Sequence, residues 1–162
     1  MVEKALGPQW KLVSRASGLI FAGTVLSVET VAQNSESPLP LVQLEFRVEH
    51  AIAGVKPGEI VTIREWAGAW DAHRPMHAGQ HFLLFFYPPS SLGLTSLVGG
   101  PLGQFELDPA GRIIAAPSRD PTPLGPTHPS PAHTIPAPIH STYPTLISWR
   151  QLQRAIRGAR EE

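Results

Sequence analysis

The chain has 162 residues, 42% of them hydrophobic, and lysine plus arginine equals aspartate plus glutamate at 13 each. That size and apolar content support one ordinary core, of the kind found in a domain of about 100–150 residues, with appendages. The lack of any cysteine excludes disulfides, thiolate zinc sites and a thiol nucleophile. Neither charge sign is gathered into a long block, so there is no electrostatic footprint for nucleic acid, and acidic surfaces are not favoured as partners.

The opening MVEKALGPQWKL lacks the apolar core of roughly 7–15 residues that marks a secretion signal. No later run approaches the roughly 20 apolar residues of a membrane span. A short helix is predicted over Gln9 to Ser17, with Leu12, Val13 and Ala16 on one face and Gly18 as a left-handed cap. A strand follows from Leu19 to Glu29, with Gly23 marking a bend or bulge. The polar, proline-broken QNSESPLP, Gln33 to Pro40, reads as a hairpin loop.

In the next strand Val42, Leu44, Phe46 and Val48 face inward while Gln43, Glu45, Arg47 and Glu49 face water, the alternation of an antiparallel sheet with one wet face. Lys56-Pro57-Gly58 turns the chain into a third strand, Ile60 to Trp66. After a loop from His73 to Gly79 comes HFLLFFY, whose residues Phe82 to Tyr87 are all aromatic or leucine. Both faces of that strand must be covered. A fifth strand is predicted near Gly103 to Leu107, a turn at Asp108 to Gly111, and a return over Arg112 to Ala115.

Between Pro117 and Pro144 lie nine of the chain's 18 prolines. Such a segment builds no core, because proline fixes φ and removes the backbone donor; it reads as an extended arm that Ile135 and Ile139 tether to the rest. Order returns with the capping-box spacing of Ser148 and Gln151. Trp149, Leu152 and Ile156 then share one face of a docking helix over Trp149 to Arg157, with Arg154, Arg157 and Arg160 toward its C-terminus.

Three constellations invite a chemical reading. His73, His77 and His81 are spaced by four, and three imidazoles suffice for a transition metal, but Pro75 and Gly79 argue against the unbroken helix that would bring them together. They are weak metal candidates, and no cofactor is expected. The glycine-rich stretch Gly93 to Gly103 has neither the P-loop nor the dinucleotide pattern, and Pro101 removes a donor. Glu65 and Asp71 flank Trp66 and Trp70 and would frame a small cleft, although Arg64 and Glu65 point to opposite faces of their strand. Trp66, Trp70 and Tyr87 are the aromatic candidates for a recognition surface.

The segments LVSRASGLIFAGTVLSV, VQLEFRVEHAIAGVKPGEIVTI and GQHFLLFFYPP, within residues 9–115, resemble the OB-like barrel of the netrin and tissue-inhibitor-of-metalloproteinase superfamily, and its bacterial members in particular. The resemblance implies a mainly β fold: a five- to six-stranded antiparallel barrel with a short helix near each terminus. It also implies export, with this sequence as the mature secreted or periplasmic form. The animal inhibitors use a disulfide-linked N-terminal cysteine to chelate the protease zinc, and this chain has none, so no inhibitory residue carries over.

These readings divide the chain into a barrel domain (1–116), a proline-rich arm (117–144) and a C-terminal docking helix (145–162). The expected function is a non-enzymatic, extracytoplasmic binding or assembly module. Its contacts would be the aromatic rim and the arm, and its partner another protein or a second copy. The alternative is a protease-inhibitor-like protein acting through a loop; a small metal-dependent enzyme stands third.

Overall fold

The computed structural model describes residues 2–31, 40–114 and 147–162. In chain order its elements are helices α1 (Val2–Leu6) and α2 (Trp10–Ala16), strands β1 (Leu19–Val31), β2 (Leu41–Ala53) and β3 (Ile60–Trp66), helix α3 (Ala67–Asp71), strands β4 (His81–Phe86) and β5 (Gln104–Leu107), and helix α4 (Trp149–Glu161). A short 3-10 turn, Gly100–Gly103, leads into β5. The strands form one antiparallel sheet in the order β3-β2-β1-β4-β5. Ile135, Ile139 and the proline-rich arm lie outside the described residues.

The longest pairing, between β1 and β2, changes register between Ala22 and Gly23 and again between Val25 and Ser27. A Cβ at Gly23 would collide with the Arg47 carbonyl oxygen, so only glycine permits the two backbones to approach there. The bulge bends the strand as its sequence predicts. On β2, Val42, Leu44, Phe46 and Val48 are all buried, also as predicted.

The expected barrel does not close: the five strands make an open sheet. The reason is local. β5 has four residues and pairs only with His81 to Leu84, after which β4 is met instead by Leu97 and Val98. Among the described residues the outer edge of β5 is met by the bridge of Leu107 to Ile113 and by Ile114 N–H, which donates to the Glu106 carbonyl, where a return over Arg112 to Ala115 was expected; Ala115 lies outside the described residues. Between β3 and the end of β4 one rung spans the gap. Thr95 N–H donates to the Arg64 carbonyl at 3.0 Å, and the Thr95 hydroxyl donates to the Tyr87 carbonyl at 2.6 Å.

Because β4 is apolar on both faces, the sheet has two cores. Phe21, Val25, Leu44, Phe46, Ile63, Phe82, Leu84 and Phe86 fill the inner, concave side, with Met76 as a plug. The rings of Phe21, Phe46 and Phe86 meet at centroid distances of 5.5–6.2 Å, within the range of favourable aromatic pairing. On the outer side Ile20, Ala22, Ile52, Leu83 and Phe85 are covered by Leu6, Val13, Leu152 and Ile156 from α1, α2 and α4.

α2 buries Val13, Ser14 and Ser17, whereas Leu12 and Ala16 are exposed, so the predicted apolar face is displaced by about one position around the helix. The two serine hydroxyls donate to carbonyls four residues back, which lets polar residues occupy the inner face. Gly18 is not left-handed. The chain leaves α2 extended at Ser17, and Gly18 is needed because a Cβ would lie 2.6 Å from Pro88 Cα.

The ends of α2 and α4 cap one another. Arg15 Nε donates to the Ala159 carbonyl at 2.8 Å, and Arg160 donates to the Ser14 carbonyl at 2.7 Å and to that of Ser17. Each arginine satisfies carbonyls that a helix C-terminus leaves orphaned, and places its charge where the helix dipole is negative. The predicted capping box at Ser148 and Gln151 is present, and α4 runs four residues beyond its expected end. Fully buried Ile156 belongs to the outer core. Ile156→Ala should therefore cost about 2–5 kcal/mol in chemical denaturation. Ile60→Ala, at a side chain 60% exposed, should stay within about 0.5 kcal/mol.

Candidate functional site

Strand alternation sends Ile63 and Glu65 of β3 inward and Thr62 and Arg64 to solvent. Glu65 is thus a fully buried carboxylate on the inner side of the sheet. α3 and the residues after it turn back toward β3 and bring His73 to Glu65. His73 Nε2 lies 3.0 Å from Glu65 Oε2, and Nδ1 lies 2.9 Å from the Arg74 carbonyl. That carbonyl only accepts, so Nδ1 carries a proton, and Nε2 donates to the carboxylate.

Two further side chains complete the cluster. The buried Gln104 accepts from Arg74 N–H at 3.1 Å and donates to the Arg74 carbonyl at 3.0 Å, holding that peptide from both sides. The Trp70 ring meets the His73 ring edge to face with centroids 5.1 Å apart. Glu65 Oε1 is buried with no hydrogen-bond partner among the described residues. Breaking this pair from either side leaves an uncompensated group in the core.

Burial disfavours a charged imidazole at His73. The hydrogen bond and charge of Glu65, with the Arg74 carbonyl, outweigh it and raise the His73 pKa above its ordinary 6.5. A catalytic histidine needs one ring nitrogen free to exchange a proton with substrate. Here both nitrogens are engaged and the side chain is 1% exposed. The arrangement ties the segment after α3 to β3 rather than presenting a base to solvent.

The three histidines do not converge. His73 is buried, His77 sits in an exposed turn where its N–H donates to Gln80 Oε1 at 2.7 Å, and His81 lies on β4 within 2.8 Å of Thr24 Oγ1 and 3.6 Å of Glu49 Oε1. Among the described residues there is no group of three or more histidine, cysteine or acidic side chains placed to hold a metal ion. Asp71 is exposed, so Glu65 and Asp71 do not form a two-carboxyl cleft.

The aromatic candidates are partly gathered. Trp66 and Trp70 are half-buried at the two ends of the β3–α3 junction, and Trp70 packs on the inner core. Tyr87 is 42% exposed at the end of β4, across the gap that Thr95 bridges. Sequence reading missed the Glu65–His73 pairing and Gln104. The available signal was the inward register of Glu65, which demands a buried partner without naming it.

Elsewhere, a shallow groove of about 440 Å³ runs along α4, lined by Arg150, Gln153, Arg154, Arg157, Gly158 and Glu161. No protein-family model, curated protein or solved structure matches this chain.

The pair gives stability a definite pH dependence. Since the folded pKa of His73 lies above its unfolded value, folding takes up a proton between the two. The stabilisation is complete below about pH 6.5 and is lost as pH rises through the folded value. Denaturation midpoints followed against pH should show this fall in the wild type and not in Glu65→Leu/His73→Leu. Single Glu65→Ala should cost about 3–5 kcal/mol, and the apolar double variant should recover most of that loss.

Proposed function

We propose that this chain is a non-enzymatic, extracytoplasmic binding or assembly module that makes protein–protein contacts at the β3 side of its open barrel. The observation that carries the reading is the free edge of β3. In an antiparallel pair, alternate residues turn their N–H and C=O toward the partner strand. Arg64 turns its carbonyl outward, to Thr95, so Ile60 and Thr62 also point theirs away from β2. Neither has a backbone partner on that side among the described residues.

An unpaired edge is a template for another strand. Ile60 adds an exposed apolar side chain to this edge, and Trp66 closes the same strand with a large aromatic of the type that dominates interface energies. The closed hydrogen bonding of His73 supports a binding role over acid–base chemistry. The netrin-like resemblance, and with it export, is part of this proposal; a five-stranded antiparallel sheet with an incomplete seam accords with a partly open OB-type barrel.

Self-pairing is the form that needs no foreign partner, and light scattering across a concentration series reads it directly. The full chain is expected to gain mass with concentration. Thr62→Pro removes one outward donor while leaving the β2 ladder intact, because proline is tolerated on an edge strand, and this variant is expected to remain monomeric. A wild type that is monomeric throughout, or a Thr62→Pro variant that still associates, rules out self-pairing through this edge.

A further inference from the structure

The balanced charge of the whole chain conceals a segregation produced by the fold. The terminal regions that form the helical layer, residues 2–16 and 147–162, carry seven lysines and arginines against three acidic residues, a net charge of +4. The other described residues, 17–31 and 40–114, carry five against eight, a net charge of −3. The helices arrive from both ends of the chain and lie on the same outer core, so their outward faces point away from the sheet together.

Within that layer the cations are not equivalent. Lys11 and Arg15 are paired with Glu162, and Arg160 is spent on the carbonyls that close α2. Arg150, Arg154 and Arg157 are exposed along one side of α4 at spacings of four and three, which gives a basic ridge about 10 Å long. They form no ion pair among the described residues, and neither does Lys4 on α1. Glu161 stands at the end of the arginine groove, and Glu3 is exposed on α1.

We infer that the helical layer docks on an anionic lipid surface, with Arg150, Arg154 and Arg157 meeting headgroup phosphates. Two observations select a bilayer over an acidic polypeptide. The arginines stand on an outward helix face, with only a shallow groove between them, a shape suited to a broad deformable surface. On the neighbouring α2, Leu12 is 64% exposed between Lys11 and Arg15, and the half-buried Trp10 lies beneath the Lys11 ammonium, 5.9 Å from its ring centroid. An exposed apolar side chain flanked in sequence by cations suits a lipid interface, whereas an acidic peptide gains nothing from Leu12.

This surface lies on the outer side of the sheet, and the inference stands independently of the proposed function. Co-sedimentation of the full chain with vesicles of phosphatidylcholine alone, and of phosphatidylcholine containing phosphatidylglycerol, measures it. Binding is expected only with the anionic lipid, weakening as salt is added. Arg154→Glu/Arg157→Glu should bind at least about tenfold more weakly with an unchanged unfolding midpoint. Arg150→Gln/Arg154→Gln, which removes charge without reversing it, should fall between. Equal binding to neutral vesicles, no binding to the anionic ones at low salt, or full binding by the double reversal would each overturn the inference. So would capture of soluble polyglutamate by a chain that ignores the vesicles.

Discussion

The architecture follows from the need to cover β4 on both faces. Phe82, Leu84 and Phe86 project to one side of the sheet and Leu83 and Phe85 to the other, and all five are buried. The part of a sheet that holds such a strand must be covered on both faces, even where its neighbours keep one face wet. The inner side is covered by curling the sheet on itself, which the close approach of Gly23 to Arg47 permits. The outer side is covered by helices, drawn from both ends of the chain. Leu6 and Val13 come from one end and Leu152 and Ile156 from the other, and Arg15 and Arg160 lock the two ends together. The last helix is therefore an integral part of the core that begins at the first.

The inner side is also where the fold accepts a buried charge. An apolar residue at position 65 would satisfy β3 as a strand. Glu65 instead obliges the segment after β3 to return with a specific partner, and His73, Gln104 and the Arg74 peptide supply the hydrogen bonds. Such pairs contribute little net stability, because desolvation offsets attraction, but they penalise wrong arrangements heavily. We read the cluster as the device that fixes α3, and with it Trp70, in one position over the inner core.

Much of this was legible in the sequence, and the divisions are physical. Alternation along β2, the bulge at Gly23, the two-faced β4 and the Ser148 capping box depend on neighbours close in sequence or on a periodicity, and each is found where residue type placed it. Barrel closure was not legible, because it depends on how far β5 extends beside β4, and four residues do not reach the seam. The buried face of α2 was misplaced because Ser14 and Ser17 satisfy their hydroxyls within the helix and so pass as interior residues. The helix α1 was missed altogether: five residues with a single buried side chain give almost no periodic signal. At the site, the even spacing of His73, His77 and His81 pointed to one another, while the real partner of His73 was eight residues upstream on the strand before it.

Charge shows the same limit most clearly. A sum over the chain is indifferent to where each residue lies, and a sum of zero is compatible with an even mixture or with two opposed faces. Here the cations are concentrated near the termini, and the terminal helices are the elements required to cover the outer core, so the fold converts position along the chain into position in space. The edge of β3 closes one end of the sheet order, and among the described residues the outward backbone groups of Ile60 and Thr62 have no backbone partner. A contact at one surface therefore uses none of the residues of the other. Linking two such contacts through one rigid sheet makes the second encounter intramolecular, with an effective concentration set by that fixed geometry.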